Sequence, residues 1–165
     1  MGMDVSGINP VLNVNSVEPD ELEDYWQATD EEREAYWDAK NKYREENPGV
    51  YFRANCWSWR PIHDFMSEHA GHLYDEEIEQ GMVYNDGAGL PGEVCVEAAN
   101  VMQVALDKME GDVRTMDTPD FQLDNETGKL VDRDDDTTHS PYGACKEHLQ
   151  EWVTFVRNSG GFEVW

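Results

Sequence analysis

The chain has 165 residues, enough for one domain with a sizeable core. Its 36 acidic residues against 12 basic ones give a net charge of −24. That balance excludes the clustered lysine and arginine that direct binding to a nucleic-acid backbone requires, and it disfavours anionic membranes. It remains compatible with solubility in salt, with a cationic partner, or with mimicry of DNA's charge. Cys56, Cys95 and Cys145 form no CxxC pair, and no apolar run approaches membrane-spanning length. A reducing cytoplasm is therefore the expected location.

The opening, Met1 to Ser6, alternates as a short strand does, and Gly7-Ile8-Asn9-Pro10 turns the chain. Residues 11–49 read as an acidic helical insertion. Pro19 followed by Asp20-Glu21 predicts one helix start. Thr29-Asp30-Glu31-Glu32 has the pattern of a capping box and predicts another. Tyr25-Trp26 and Tyr36-Trp37 recur at an offset of eleven, about three helical turns, so an unbroken helix would place both pairs on one side. Such a stripe packs on the domain, seats a partner, or meets a second copy of the chain; Tyr25, Trp26, Tyr36 and Trp37 are the candidate partner-binding residues.

The densest segment is Val50 to Pro61. Read as an extended chain, Tyr51, Arg53, Asn55, Trp57 and Trp59 share one face, and Phe52, Ala54, Cys56 and Ser58 share the other. An aromatic beside a guanidinium and an amide grips planar polar ligands, and Arg60 adds a contact for an anion. The alternative is a structural strand whose arginines pair with the many acids. Ile62 to Leu73 then predicts a helix. His63, His69 and His72 lack metal-ligand spacing, so no metal is expected.

Met82-Val83-Tyr84 reads as a strand. It leads into Asn85-Asp86-Gly87-Ala88-Gly89, a glycine turn placed to cap a helix or to offer N–H groups to an anion. Asn85, Asp86 and Gly87 complete the candidate ligand set with Tyr51, Arg53, Asn55, Trp57, Trp59 and Arg60. Pro91 to Met109 has the best helical period, with Val94, Ala98, Val101, Met102, Ala105 and Met109 on the core side. A second acidic excursion, 111–140, predicts a hairpin of Phe121-Gln-Leu with Lys129-Leu-Val. Pro141 to Asn158 predicts the last helix, with Cys145 on its buried face, and Ser159-Gly160-Gly161 caps it. Phe162 to Trp165 is a closing strand of the same sheet. The stretches 12–49 and 111–138 carry net −8 and −6, so most of the −24 sits on excursions.

MGMDVSGINP, YFRANCWSWRP, the NDGAGL turn and the terminal SGGF resemble blocks that occur in the same order in a family of small bacteriophage and prophage proteins. The blocks cover about half the chain; Ile62 after the proline and the long segment before Tyr51 depart from the pattern. The resemblance implies a phage context without an activity. The fold expected is α+β: a small, mainly antiparallel sheet on two or three helices, in a single domain 1–165 with the acidic helical insertion. The expected function is a phage-type counter-defence protein that binds rather than catalyses. It would sequester a nucleotide-derived small molecule or, alternatively, be an acidic protein-interaction module, a DNA mimic or blocker of a basic host protein. Asp86, His63 and Cys56 are reactive groups without diagnostic spacing, so neither enzyme chemistry nor a cofactor is expected.

Overall fold

The computed structural model describes residues 2–111 and 142–165, together with short strands at 113–114, 121–123 and 130–132. The order is β1 (Gly2–Gly7), α1 (Asp30–Glu46), β2 (Tyr51–Asn55), α2 (Cys56–Ala70) with a 3-10 turn at Gly71–Leu73, and α3 (Glu76–Tyr84). It continues with α4 (Gly92–Lys108), β3 (Val113–Arg114), β4 (Phe121–Leu123), β5 (Leu130–Asp132), β6 (Gly143–Ala144), α5 (Lys146–Asn158) and β7 (Phe162–Val164). The fold is α+β, as the sequence predicts.

The main sheet is antiparallel in the order β2-β1-β7. The two chain ends therefore meet as neighbours, with Val5 opposite Val164 and also opposite Phe52. Alternation sends Met3, Val5, Phe52, Ala54, Phe162 and Val164 to one face, where all are buried. Helices α2 and α5 pack on that face, and α4 packs against both of them. Trp152 of α5 is the hub: its ring lies 5.1 Å from Phe52, 5.5 Å from Trp59 and 5.2 Å from Phe162. Cys95, Ala98, Ala99, Met102 and Leu106 of α4 complete the layer. Burying a side chain of this class stabilises the fold by roughly 1.5–3 kcal/mol.

The loop after α3 is stitched to β7. Phe162 and Val164 donate to the carbonyls of Leu90 and Ala88, each at 2.9 Å, and Gly87 donates to Val164 O at 2.9 Å. Gly89 is required for this approach, since a Cβ there would fall 1.7 Å from Phe162 O. Leu90 is buried behind it, and α4 follows.

Four expectations need correction. No helix starts at Pro19; the chain turns near Asp24, whose carboxylate accepts from the N–H groups of Trp26 and Gln27 at 3.2 and 3.3 Å. This local side-chain bonding competes with the helix. The extended stretch ends at Asn55 rather than at Trp59. Asn55 caps α2 by accepting from Trp57 N and Ser58 N, both at 2.9 Å, so the helix begins six residues before Ile62 and carries Pro61 inside it. Met82-Val83-Tyr84 closes α3 rather than forming a strand: Asp75 caps that helix, and Asn85 ends it in the left-handed region at φ 58°. Helix α5 starts at Lys146, which leaves Cys145 exposed at the cap.

The predicted pairing of 121–123 with residues near 130 is present, Leu123 lying opposite Leu130. Its loop and the acidic run 133–136 lie outside the described residues. The capping box at Thr29 is also present: Thr29 N donates to Glu32 Oε2 at 2.7 Å, and Glu32 N donates to Thr29 Oγ1 at 3.2 Å.

Candidate functional site

Two surfaces gather the predicted residues, and they differ in charge. The first is an arm formed by residues 12–46. Its root is Asn47, fully buried, which accepts from Asn13 N at 2.7 Å and donates to Ser16 Oγ at 2.9 Å and Tyr43 O at 2.8 Å. Beyond the root, Tyr43 is the one buried residue among the 17 of α1.

The aromatic pairs come together although the helix joining them is absent. Trp37 Nε1 donates to Tyr25 Oη at 3.3 Å, and the Arg33 guanidinium lies 5.7 Å from the Tyr25 ring and donates to its carbonyl. Tyr25 packs edge-on against Trp26 at 5.7 Å, and Tyr36 against Trp37 at 5.3 Å. Lys40 donates to Tyr36 Oη at 2.7 Å; this bond, more than the nearby Glu21, lifts the Lys40 pKa above its usual value. The cluster is held in place yet open to solvent: Trp26 is 88% exposed, Trp37 41% and Tyr25 37%. Exposed Val11, Leu12, Val14 and Val17 precede it in sequence.

The second surface is the outer face of the sheet with the edge of β2, which no other described strand covers. There Arg53, Asp4 and Trp165 form one cross-strand row, since Asp4 sits opposite Arg53 and exchanges both main-chain bonds with Trp165 at 2.8 and 2.7 Å. The row ends on Gly87, where a Cβ would come 2.7 Å from the Trp165 indole. Arg53 Nε is 3.7 Å from Asp4 Oδ1, an exposed pair worth little in stability. The Tyr51 hydroxyl bonds Asp4, and the Arg44 guanidinium lies 3.8 Å from the Tyr51 ring centroid. Partial burial, then the Asp4 bond, pushes the Tyr51 pKa up. One turn beyond the strand, exposed Trp57 packs on Tyr142 at 5.0 Å, and Arg60 lies 5.4 Å from the same ring.

The predicted ligand set is therefore divided. Tyr51, Arg53 and Asn55 lie along β2, with Trp57 and Arg60 just past its end. Asn85, Asp86 and Gly87 lie beyond β7, about 14 Å away across three strand spacings. Trp59 belongs to neither group: it is 4% exposed, and its Nε1 donates to Met82 O at 3.2 Å. The main-chain N–H of Gly87 is bound to Val164, and that of Ala88 to the Asp86 carboxylate at 3.2 Å. Sequence reasoning missed Arg44 and Asp4, which meet Tyr51 only through the fold. Trp165, expected only as the end of the closing strand, was not singled out either. A surface groove of about 400 Å³ between α2 and α4 is lined by His69, Val101, Val104, Ala105, Lys108 and Met109; of these, Val101, Ala105 and Met109 were expected on the core side and are only partly buried.

His63 is buried and bonds Glu79 O at 3.0 Å, a structural partner. Among the described residues no cluster of three metal-ligating side chains occurs, and no helix is long and apolar enough to cross a membrane. Compared with known protein families, curated proteins and solved structures, the chain matches none.

Proposed function

We propose that the protein acts by binding a basic protein through the 12–46 arm. The observation that carries this reading is the Tyr25–Trp26–Trp37 cluster. It is fixed by specific bonds and exposed, and the domain core makes no use of it. Anchored aromatics of this kind are the usual energetic centre of a protein interface, and large exposed apolar groups on a monomer mark such sites. The twelve acids and four bases of residues 12–49 select a cationic partner. With the resemblance to bacteriophage proteins, that partner is a basic host protein, and the role is that of a counter-defence blocker in the host cytoplasm.

The test uses an amphipathic lysine–leucine helical peptide as probe, followed by tryptophan fluorescence. Trp26→Ala with Trp37→Ala is expected to weaken binding at least ten-fold while leaving thermal unfolding unchanged. Equal binding by wild type and double variant would show attraction to net charge alone and contradict the reading.

Sequestration of a nucleotide-derived small molecule is the second reading. It is favoured by Trp57, Tyr142 and Arg60, which put a half-exposed indole and a guanidinium on one ring. A thermal-shift series with nucleotides tests it: a rise in melting temperature lost in Trp57→Ala supports this reading, and no rise with any nucleotide contradicts it.

A further inference from the structure

Among the described residues, the sheet has one covered edge and one open edge. Beyond β7 the segment 87–90 supplies main-chain partners, so that side is closed. Beyond β2 the described residues supply none, and register shows which groups are left. Asp4 gives both its N–H and its C=O to Trp165, so its main chain points toward β7. Gly7 donates to Val50 O at 3.0 Å, so odd positions of β1 point toward β2. Arg53 lies opposite Asp4, and Tyr51 and Asn55 lie opposite Ser6 and Gly2, positions that share Asp4's orientation. The main chains of Tyr51, Arg53 and Asn55 therefore face away from the sheet. The N–H and C=O of Tyr51 and Arg53 and the N–H of Asn55 have no hydrogen-bond partner among the described residues.

Proteins commonly blunt such an edge with a charge, and Arg53 alone would be read that way. Here the charge forms a strip. Arg44 lies over the Tyr51 ring at one end, Arg53 stands in the middle with its side chain 66% exposed, and Arg60 follows the other end. These are three of the chain's seven arginines. Among the described residues, one carboxylate, that of Asp4, lies within ion-pair distance of the three. In a chain of net −24, cations without strong partners beside unpaired main-chain groups define a specific occupant. A second copy fits poorly, because two-fold pairing of β2 with itself centred on Arg53 would set that arginine against its own copy.

We infer that the free edge of β2 is a docking site for an extended, acidic segment of a partner protein, which adds to the sheet as a fourth strand. Tyr51, Arg53 and Asn55 would exchange main-chain bonds with alternate residues of that segment. Side chains at those residues lie on the outer face, where aspartate or glutamate meets Arg53 and, at the two ends, Arg44 and Arg60. Screening over about 8 Å at physiological salt confines the repulsion from the rest of the chain, while contacts at the strip act at bonding distance. This site has the opposite charge preference to the arm and does not depend on it.

The test is titration of the intact protein with an alternating glutamate–valine peptide, with amide hydrogen exchange as a second readout. Binding is expected to slow exchange at Tyr51, Arg53 and Asn55, and Arg53→Glu is expected to weaken it at least ten-fold. Peptides N-methylated at every second amide separate strand addition from simple charge attraction. One methylation phase should abolish binding, and the other should leave it within about two-fold. Equal binding by both phases, or unchanged exchange at Tyr51 and Arg53, would overturn the inference. So would protection of those amides by self-association of the protein alone, which would assign the edge to a second copy.

Discussion

The sheet layer and the arm solve opposite problems with similar residues. In the layer, Phe52, Trp59, Trp152, Phe155 and Phe162 touch one another and exclude water. In the arm, Tyr25, Trp26, Tyr36 and Trp37 also touch in pairs, yet three of the four remain exposed. The layer's aromatics lie on faces whose other positions also turn inward. The arm's aromatics lie on a segment of acids that cannot be buried, so its contacts are made at its own surface. Aromatic content alone does not distinguish a core from a docking surface; the residues around each ring do.

The comparison can be broken first at the hub. Trp152→Ala removes the ring shared by the sheet and α2, and should cost about 4 kcal/mol in denaturant unfolding. A cost below about 1 kcal/mol would mean that the layer does not depend on it. An intermediate effect is expected at the junction. Asn47→Ala strands the buried groups that Asn47 satisfies and should cost about 2 kcal/mol, with protease sensitivity rising in 12–46 and not in α4. The smallest effect is confined to the arm: Thr29→Ala should lower helicity by the loss of one cap, about 1 kcal/mol, without moving the main unfolding transition.

Acid sharpens the same contrast. The Thr29 main-chain bond, then its hydroxyl, holds the Glu32 carboxyl below its usual pKa. The stabilisation of α1 by this box is complete above the ordinary glutamate range and is lost as pH falls through the depressed value. Circular dichroism should show α1 helicity decreasing below about pH 4, and Thr29→Ala should flatten that step.

The period-based parts of the fold were legible. Helix α4, the end of α5, β1, β2 and β7 all follow from spacing, because each buries one face against the same layer. The junctions were not legible. Tyr51 to Trp59 alternates well enough to predict a strand, but the Asn55 side chain redirects the backbone after five residues. Pro19 carries a helix-start signal that Asp24 overrides by bonding the next turn. For the candidate sites, an unbroken helix would set the two Tyr-Trp pairs on one side but three turns apart; the contact between Tyr25 and Trp37 comes from a fold-back that the spacing did not indicate. That no described strand covers the outer edge of β2 could not be read at all. It depends on which strands are neighbours and on the phase of their bonds, and neither is written in local sequence.

The most direct measurement is native-state amide exchange of the whole protein, alone and with the lysine–leucine probe. If the arm is surplus to the core and built for docking, α1 amides exchange orders of magnitude faster than those of α4 in the free protein. They slow at least ten-fold when the probe binds, while α4 is unchanged. Exchange in α1 as slow as in α4 before any probe is added, or no slowing on its addition, would contradict the account.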